Sequence, residues 1–127
     1  MRVLLTLVTC ALASHLACAG EVIAHASVSL NADEIRDVFL GEKQFSGRVR
    51  LVPVDNSSAQ AEFLSKVLQS DARKYAARWT RKAFREGLAI PSVKGSDAEV
   101  VSFVRDTHGA IGYIKGGATG VQVLEKF

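Results

Sequence analysis

A chain of 127 residues with 23% charged residues and a net charge of +3 has the size of one domain, and the charge excess is too small to imply a polyanionic partner. Both cysteines, Cys10 and Cys18, lie at the amino end. A disulfide framework or a thiolate metal site deeper in the chain is therefore excluded.

Arg2 is the only charge before Glu21, an apolar run from Val3 to Ala13 follows it, and Ala17-Cys18-Ala19 is a small-x-small pattern. These features predict a cleavable Sec signal peptide over residues 1–19 and a single domain over residues 20–127, because the apolar run is too short to span a bilayer. A buried amino-terminal helix is the competing reading. A lipoprotein would need Cys18 behind a Leu-containing box, which His15-Leu16-Ala17 fits poorly. Cleavage after Ala19 leaves 108 residues, removes both cysteines and, with Arg2, lowers the net charge to +2. No later stretch is long and apolar enough for a membrane span.

Glu21 to Ser27 is apolar and partly β-branched, as a buried strand is. Asn31 with Glu34 makes a capping box, Ile35, Val38 and Phe39 share one face of the helix it opens, and Gly41 stops it. Arg48 to Val54 alternates basic and apolar residues before turning apolar, which predicts a strand, with Pro53 near an edge or end. After Asp55-Asn56, Ser57-Ser58 opens a helix whose buried stripe is Phe63, Leu64, Val67 and Leu68.

Asp71 caps a third helix, with Tyr75, Ala76, Trp79 and Ala83 at helical spacing and Arg73, Lys74, Arg78, Arg81, Lys82 and Arg85 opposite. Glu86-Gly87 breaks it, and Pro91 keeps the next segment extended. Ser96 with Glu99 forms a second capping box ahead of Val100, Val101 and Val104. Gly109 to Ile114 reads as a turn entering a short strand, and Val121 to Leu124 as a terminal one. Strands alternating with helices predict an α/β arrangement, a small sheet with helices packed on it.

The strand ending at Asp55 and the helix opening at Ser57-Ser58 form the most informative arrangement. Unpaired N–H groups in a first helical turn favour negative charge, and serine hydroxyls add donors, so Asn56, Ser57 and Ser58 are candidates to hold an oxyanion. The alternative is that Asn56 or Ser57 merely caps the helix, and the Asp55 carboxylate would repel an anion. His25 and His108 lie far apart in sequence with no ligand-spaced neighbour, so no metal is expected. No nucleophile elbow or Ser-His-acid set is present, so no catalytic residue and no cofactor is expected. Export makes nucleic acid a poor partner for the basic helix, whose charged face reads as solvated or as a docking face. Tyr75 and Trp79 read as core.

In order, Val22 to Ser27, then Leu30 through Asp33-Glu34-Ile35-Arg36-Asp37-Val38-Phe39-Leu40-Gly41, then Val52-Pro53-Val54-Asp55 with Ser57-Ser58 and Phe63-Leu64, then Trp79, then Gly109-Ala110-Ile111-Gly112-Tyr113, resemble the phosphate-binding proteins of ABC transporters. The resemblance runs from about Glu21 to Ile114 and covers one lobe, as in half-size substrate-binding-like members of that family. It implies a single three-layer-like lobe of a type 2 periplasmic binding protein, a small mixed sheet flanked by about four helices. It also implies a non-enzymatic periplasmic protein, with phosphate or another small oxyanion as ligand and a link to phosphate transport. Full-length members carry an Arg and a Ser-Gly-Thr motif at the helix start; Asp55-Asn56-Ser57-Ser58-Ala59-Gln60 lacks the Arg, Gly and Thr. A binding role carries over onto Ser57 and Ser58 alone. The other reading is a ligand-free interaction or sensory module of the cell envelope, with an envelope protein or a second copy of the chain as partner.

Overall fold

The computed structural model describes residues 19–118 and 120–127. All but the last residue of the expected signal peptide lies outside them. The chain runs β1 (Glu21–Ala24), α1 (Ala32–Phe39), β2 (Phe45–Ser46), β3 (Val49–Arg50), β4 (Val52–Asn56), α2 (Gln60–Lys66), α3 (Ala72–Glu86), β5 (Ser92–Lys94), α4 (Asp97–Asp106), β6 (Ala110–Ile114) and β7 (Gln122–Lys126). The main sheet has the order β5-β4-β6-β1-β7. It is mixed: β4 pairs in parallel with β5 and β6, whereas β1 is antiparallel to β6 and β7.

Local signals start the helices. Asn31 Oδ1 accepts from the Glu34 N–H at 2.9 Å and Glu34 Oε1 accepts from the Asn31 N–H at 3.2 Å, the reciprocal box that fixes the start of α1. Asp71 caps α3 through the Lys74 N–H, and Gly87, at φ +67, ends it in the left-handed conformation that glycine adopts without strain. At α4 the pattern is only half reciprocal. Ser96 Oγ accepts from the Glu99 N–H, while the Glu99 carboxylate accepts from the N–H of Gly95, one residue outside the expected box.

Two strand expectations are corrected. The expected strand over residues 21–27 stops at Ala24, because the backbone turns at His25, where the Val28 N–H donates to the His25 carbonyl. The expected strand over residues 48–54 is two strands in two sheets: Val49–Arg50 folds back on Phe45–Ser46, and the Leu51 N–H donates to Gln44 before β4 joins the main sheet.

The sheet separates two apolar clusters. On one side Val22, Ala24, Ile111 and Tyr113 pack against Ile35 and Phe39 of α1, Phe63 and Leu64 of α2, and Tyr75 and Trp79 of α3. On the other, Ile23, Val54, Ala110 and Ile114 pack against Val100 and Val104 of α4. The result is three layers, with period-2 strands feeding both. Phe63 stacks on Tyr113 at 3.9 Å between ring centroids, and burying each such ring contributes about 2–3 kcal/mol. Gly112 lets α4 approach, since a Cβ there would lie 2.7 Å from Val54 Cγ1 and 2.8 Å from Val100 Cγ1. Among the described residues no helix is long and apolar enough to cross a membrane.

Candidate functional site

The chain leaves β4 toward α2 on one face of the sheet and leaves β5 toward α4 on the other. The chain order turns back past β4 from β5 to β6, so the carboxyl ends of β4 and β6 flank a topological switch point, the place where open α/β sheets hold ligands. Asn56, Ser57 and Ser58 sit at this point, joined to the end of β5 by the Ser57 N–H, which donates to the Lys94 carbonyl at 2.9 Å.

The three candidates divide. Asn56 is fully buried and each half of its amide is engaged. Its Nδ2 donates to Asp97 Oδ1 at 2.9 Å and to the Tyr113 carbonyl at 3.1 Å, and its Oδ1 accepts from the Ser58 N–H at 3.0 Å and the Ser58 hydroxyl at 2.6 Å. Two donors and two acceptors exhaust an amide side chain, so Asn56 supports the turn from beneath and has nothing left for a ligand. Ser57 and Ser58 are exposed above it.

They do not open the helix as the sequence suggests. Because the Asn56 side chain takes the Ser58 N–H, residues 57–59 form a turn, and α2 begins at Gln60 with Ala59 at its cap and no side-chain capping bond. The first N–H groups of α2, which like those of any helix have no intrahelical acceptor, are therefore met by no capping side chain. Across the switch point, Asp97 at the start of α4 accepts from Asn56 Nδ2 and from the Lys115 N–H at 3.0 Å. That carboxylate holds a place where an anion would otherwise meet a helix start.

Asp55, read from sequence as a carboxylate that would repel an anion, points into the core. It is 2% exposed, and its oxygens accept from the Tyr75 hydroxyl at 2.9 and 3.0 Å and from the Tyr113 hydroxyl at 2.8 Å. Burial pushes its carboxyl up to about 6, against the opposing pull of the Tyr113 and Tyr75 hydrogen bonds. Burial, and then the Asp55 charge, push both tyrosines above their ordinary 10.0, so they stay protonated donors. Nothing in the sequence brings Tyr75 and Tyr113 to Asp55; that juxtaposition needs α3 and β6 docked on β4.

The comparisons with known proteins bear on this arrangement. A solved structure, the crystal structure of an ABC-type phosphate transport receptor from Vibrio cholerae, aligns over 84% of this chain and 45% of that one, with a TM-score of 0.52 and 11% sequence identity. The fold is similar to part of that receptor. At such identity the likeness concerns the fold alone, and the chain spans less than half of the receptor's length. No protein-family model matches the sequence, and no curated protein matches it at a significant level.

The other expected features are placed as follows. His25 and His108, remote in sequence, meet edge to face with ring centroids 5.5 Å apart, and His25 Nδ1 accepts from the Ser27 N–H at 3.1 Å. No group of three or more metal-ligating side chains forms among the described residues. Trp79 and Tyr75 are buried, as expected. The basic face of α3 is not uniformly solvated: Arg78 Nε donates to the Leu40 carbonyl at 2.7 Å and its guanidinium pairs with Glu42, while Lys82 bridges Glu42 at 3.1 Å and Glu86 at 3.2 Å. Arg73, Lys74, Arg81 and Arg85 remain exposed.

Proposed function

We propose that the protein is a non-enzymatic, periplasmic, solute-binding-like domain with the architecture of one lobe of a type 2 periplasmic binding protein, recognising a small oxyanion of the phosphate type in connection with transport. The supporting observation is the exposed pair Ser57 and Ser58 at the carboxyl end of β4, beside the uncapped start of α2, in a fold similar to a phosphate transport receptor; the Ser58 hydroxyl already donates to Asn56 Oδ1, so Ser57 supplies the hydroxyl donor. Asn56 then acts as the scaffold that presents the two serines. Binding is expected to be weak, because one lobe leaves the ligand open to water and Asp97 already satisfies the neighbouring donors. Calorimetry with phosphate and sulfate tests this reading: millimolar affinity that disappears in Ser57→Ala/Ser58→Ala supports it, and no heat, or heat unchanged in the variant, refutes it.

A second reading, docking of an envelope protein or a second copy of the chain, is favoured by Phe84, 91% exposed on α3 beside Arg81 and Arg85. Light scattering and crosslinking of the wild type against Phe84→Ser/Arg85→Glu separate the two. Arg78 is unsuited to that test because its side chain holds α3 to the end of α1.

A further inference from the structure

At the amino end of β4, opposite the Ser57–Ser58 turn, the end of α1, one side of α3 and the approach to β5 leave a cavity of about 290 Å3. Pro53, Trp79, Leu88 and Pro91 give it apolar walls, and Lys43 and Arg50 line it as well; none of its lining residues is acidic. Trp79 Nε1 donates to the Phe39 carbonyl at 2.9 Å, so the indole offers the cavity an apolar ring and no donor. Lys43 is 3.3 Å from Glu34 and thus already paired. Among the described residues Arg50 has no carboxylate within ion-pair distance, although it shares an adjoining hollow with Lys82, Glu42 and Glu86, in which Lys82 pairs with both carboxylates.

An unpaired guanidinium beside an apolar hollow complements a carboxylate attached to an apolar body. The planar fork takes the two oxygens, and the body displaces water from Trp79, Pro53 and Leu88. The volume lies just below the roughly 300–1,000 Å3 spanned by small-molecule sites, which restricts the body to one ring or a short chain. We propose that this cavity is a second ligand site, taking a small monocarboxylate with an apolar body, held by Arg50 at the carboxylate and by Trp79 at the body. Inorganic phosphate and sulfate can meet the guanidinium but bury no apolar body against Trp79, Pro53 and Leu88, so they bind here more weakly than the carboxylate.

Trp79 is the only tryptophan in the chain, so intrinsic fluorescence reads this cavity without a label. The protein is titrated with hexanoate, benzoate and the neutral analogue hexanol. Saturable change of emission at millimolar carboxylate is expected, with hexanol roughly tenfold weaker and Arg50→Gln lowering hexanoate to the level of hexanol. Ala89→Leu, which narrows the hollow and leaves Arg50 in place, should weaken hexanoate and hexanol alike. No saturable change with either carboxylate overturns the proposal, as does equal affinity for hexanoate and hexanol in the wild type, a comparison that needs no variant. Phosphate provides the separating arm: bound at the Ser57–Ser58 turn it leaves Trp79 emission unchanged, so either site can fail without the other.

Discussion

At its carboxyl end β4 runs into a knot of internal hydrogen bonds, in which Asn56 is saturated, Asp97 is held by Asn56 and Lys115, and Asp55 is held by two tyrosines. At its amino end Val52 and Pro53 border an apolar cavity beside a cation, Arg50, that has no carboxylate within ion-pair distance among the described residues. The first end is where sheets of this kind hold ligands, and here most of its polar groups are directed inward to hold β4, β6 and α4 together. The second end is tied to β6 by backbone pairing at Val52 and Pro53, but the Arg50 side chain makes no hydrogen bond or ion pair among the described residues. A single strand can thus separate the residues that hold the fold from those left available for recognition.

If the carboxyl end is the scaffold, its variants must be the costly ones. Asn56→Ala removes four internal hydrogen bonds and leaves Asp97 and the Tyr113 carbonyl short of a donor, so urea unfolding should show a loss of about 3 kcal/mol. A loss below about 1 kcal/mol would dissolve the contrast between the two ends.

Asp55 sharpens the comparison through pH. A carboxyl held up to about 6 in the folded chain, against an ordinary 3.8, binds its proton more tightly when folded. Its stabilising contribution is fully present below about 3.8 and is lost as pH rises through about 6. The ionised group therefore costs roughly 2–3 kcal/mol at neutral pH relative to its acid form. The stability of the wild type relative to Asp55→Asn should rise by about that amount between pH 7 and pH 4, followed by denaturant unfolding at each pH. An unchanged difference across that window would place Asp55 in contact with water.

Much of the local structure was legible because it rests on neighbours in sequence. Asn31 with Glu34, Asp71 with Lys74, and the apolar stripe of Ile35, Val38 and Phe39 are short-range patterns, and the structure keeps each of them. What was not legible depends on contacts between remote segments. The division of residues 48–54 into two strands follows from the Phe45–Arg50 pairing, and the displacement of the helix start from Ser57 to Gln60 follows from Asn56 being fixed by Asp97 and Tyr113. At the candidate site, Ser57 and Ser58 could be singled out from the turn chemistry. The inward role of Asn56 could not, since an amide after a strand looks the same whether it faces solvent or core. The cavity left no trace in the sequence, because its walls come from four separate segments.

Smaller effects are expected at the amino end. Arg78→Ala frees the Leu40 carbonyl and leaves Glu42 paired with Lys82 alone, and should cost about 1–2 kcal/mol in thermal or urea unfolding. Arg50→Gln, which breaks no ion pair among the described residues, should stay within about 0.5 kcal/mol of wild type. A larger loss there would mean that Arg50 belongs to the scaffold after all.

The most direct measurement is a pair of amide chemical-shift titrations on the same sample, one with phosphate and one with hexanoate. The account predicts that phosphate moves the amides of Ser57 to Gln60 and leaves Arg50 and the Trp79 indole unmoved, and that hexanoate does the reverse. Phosphate shifts absent from the Ser57–Gln60 segment, or both ligands moving one common set of amides, would contradict it.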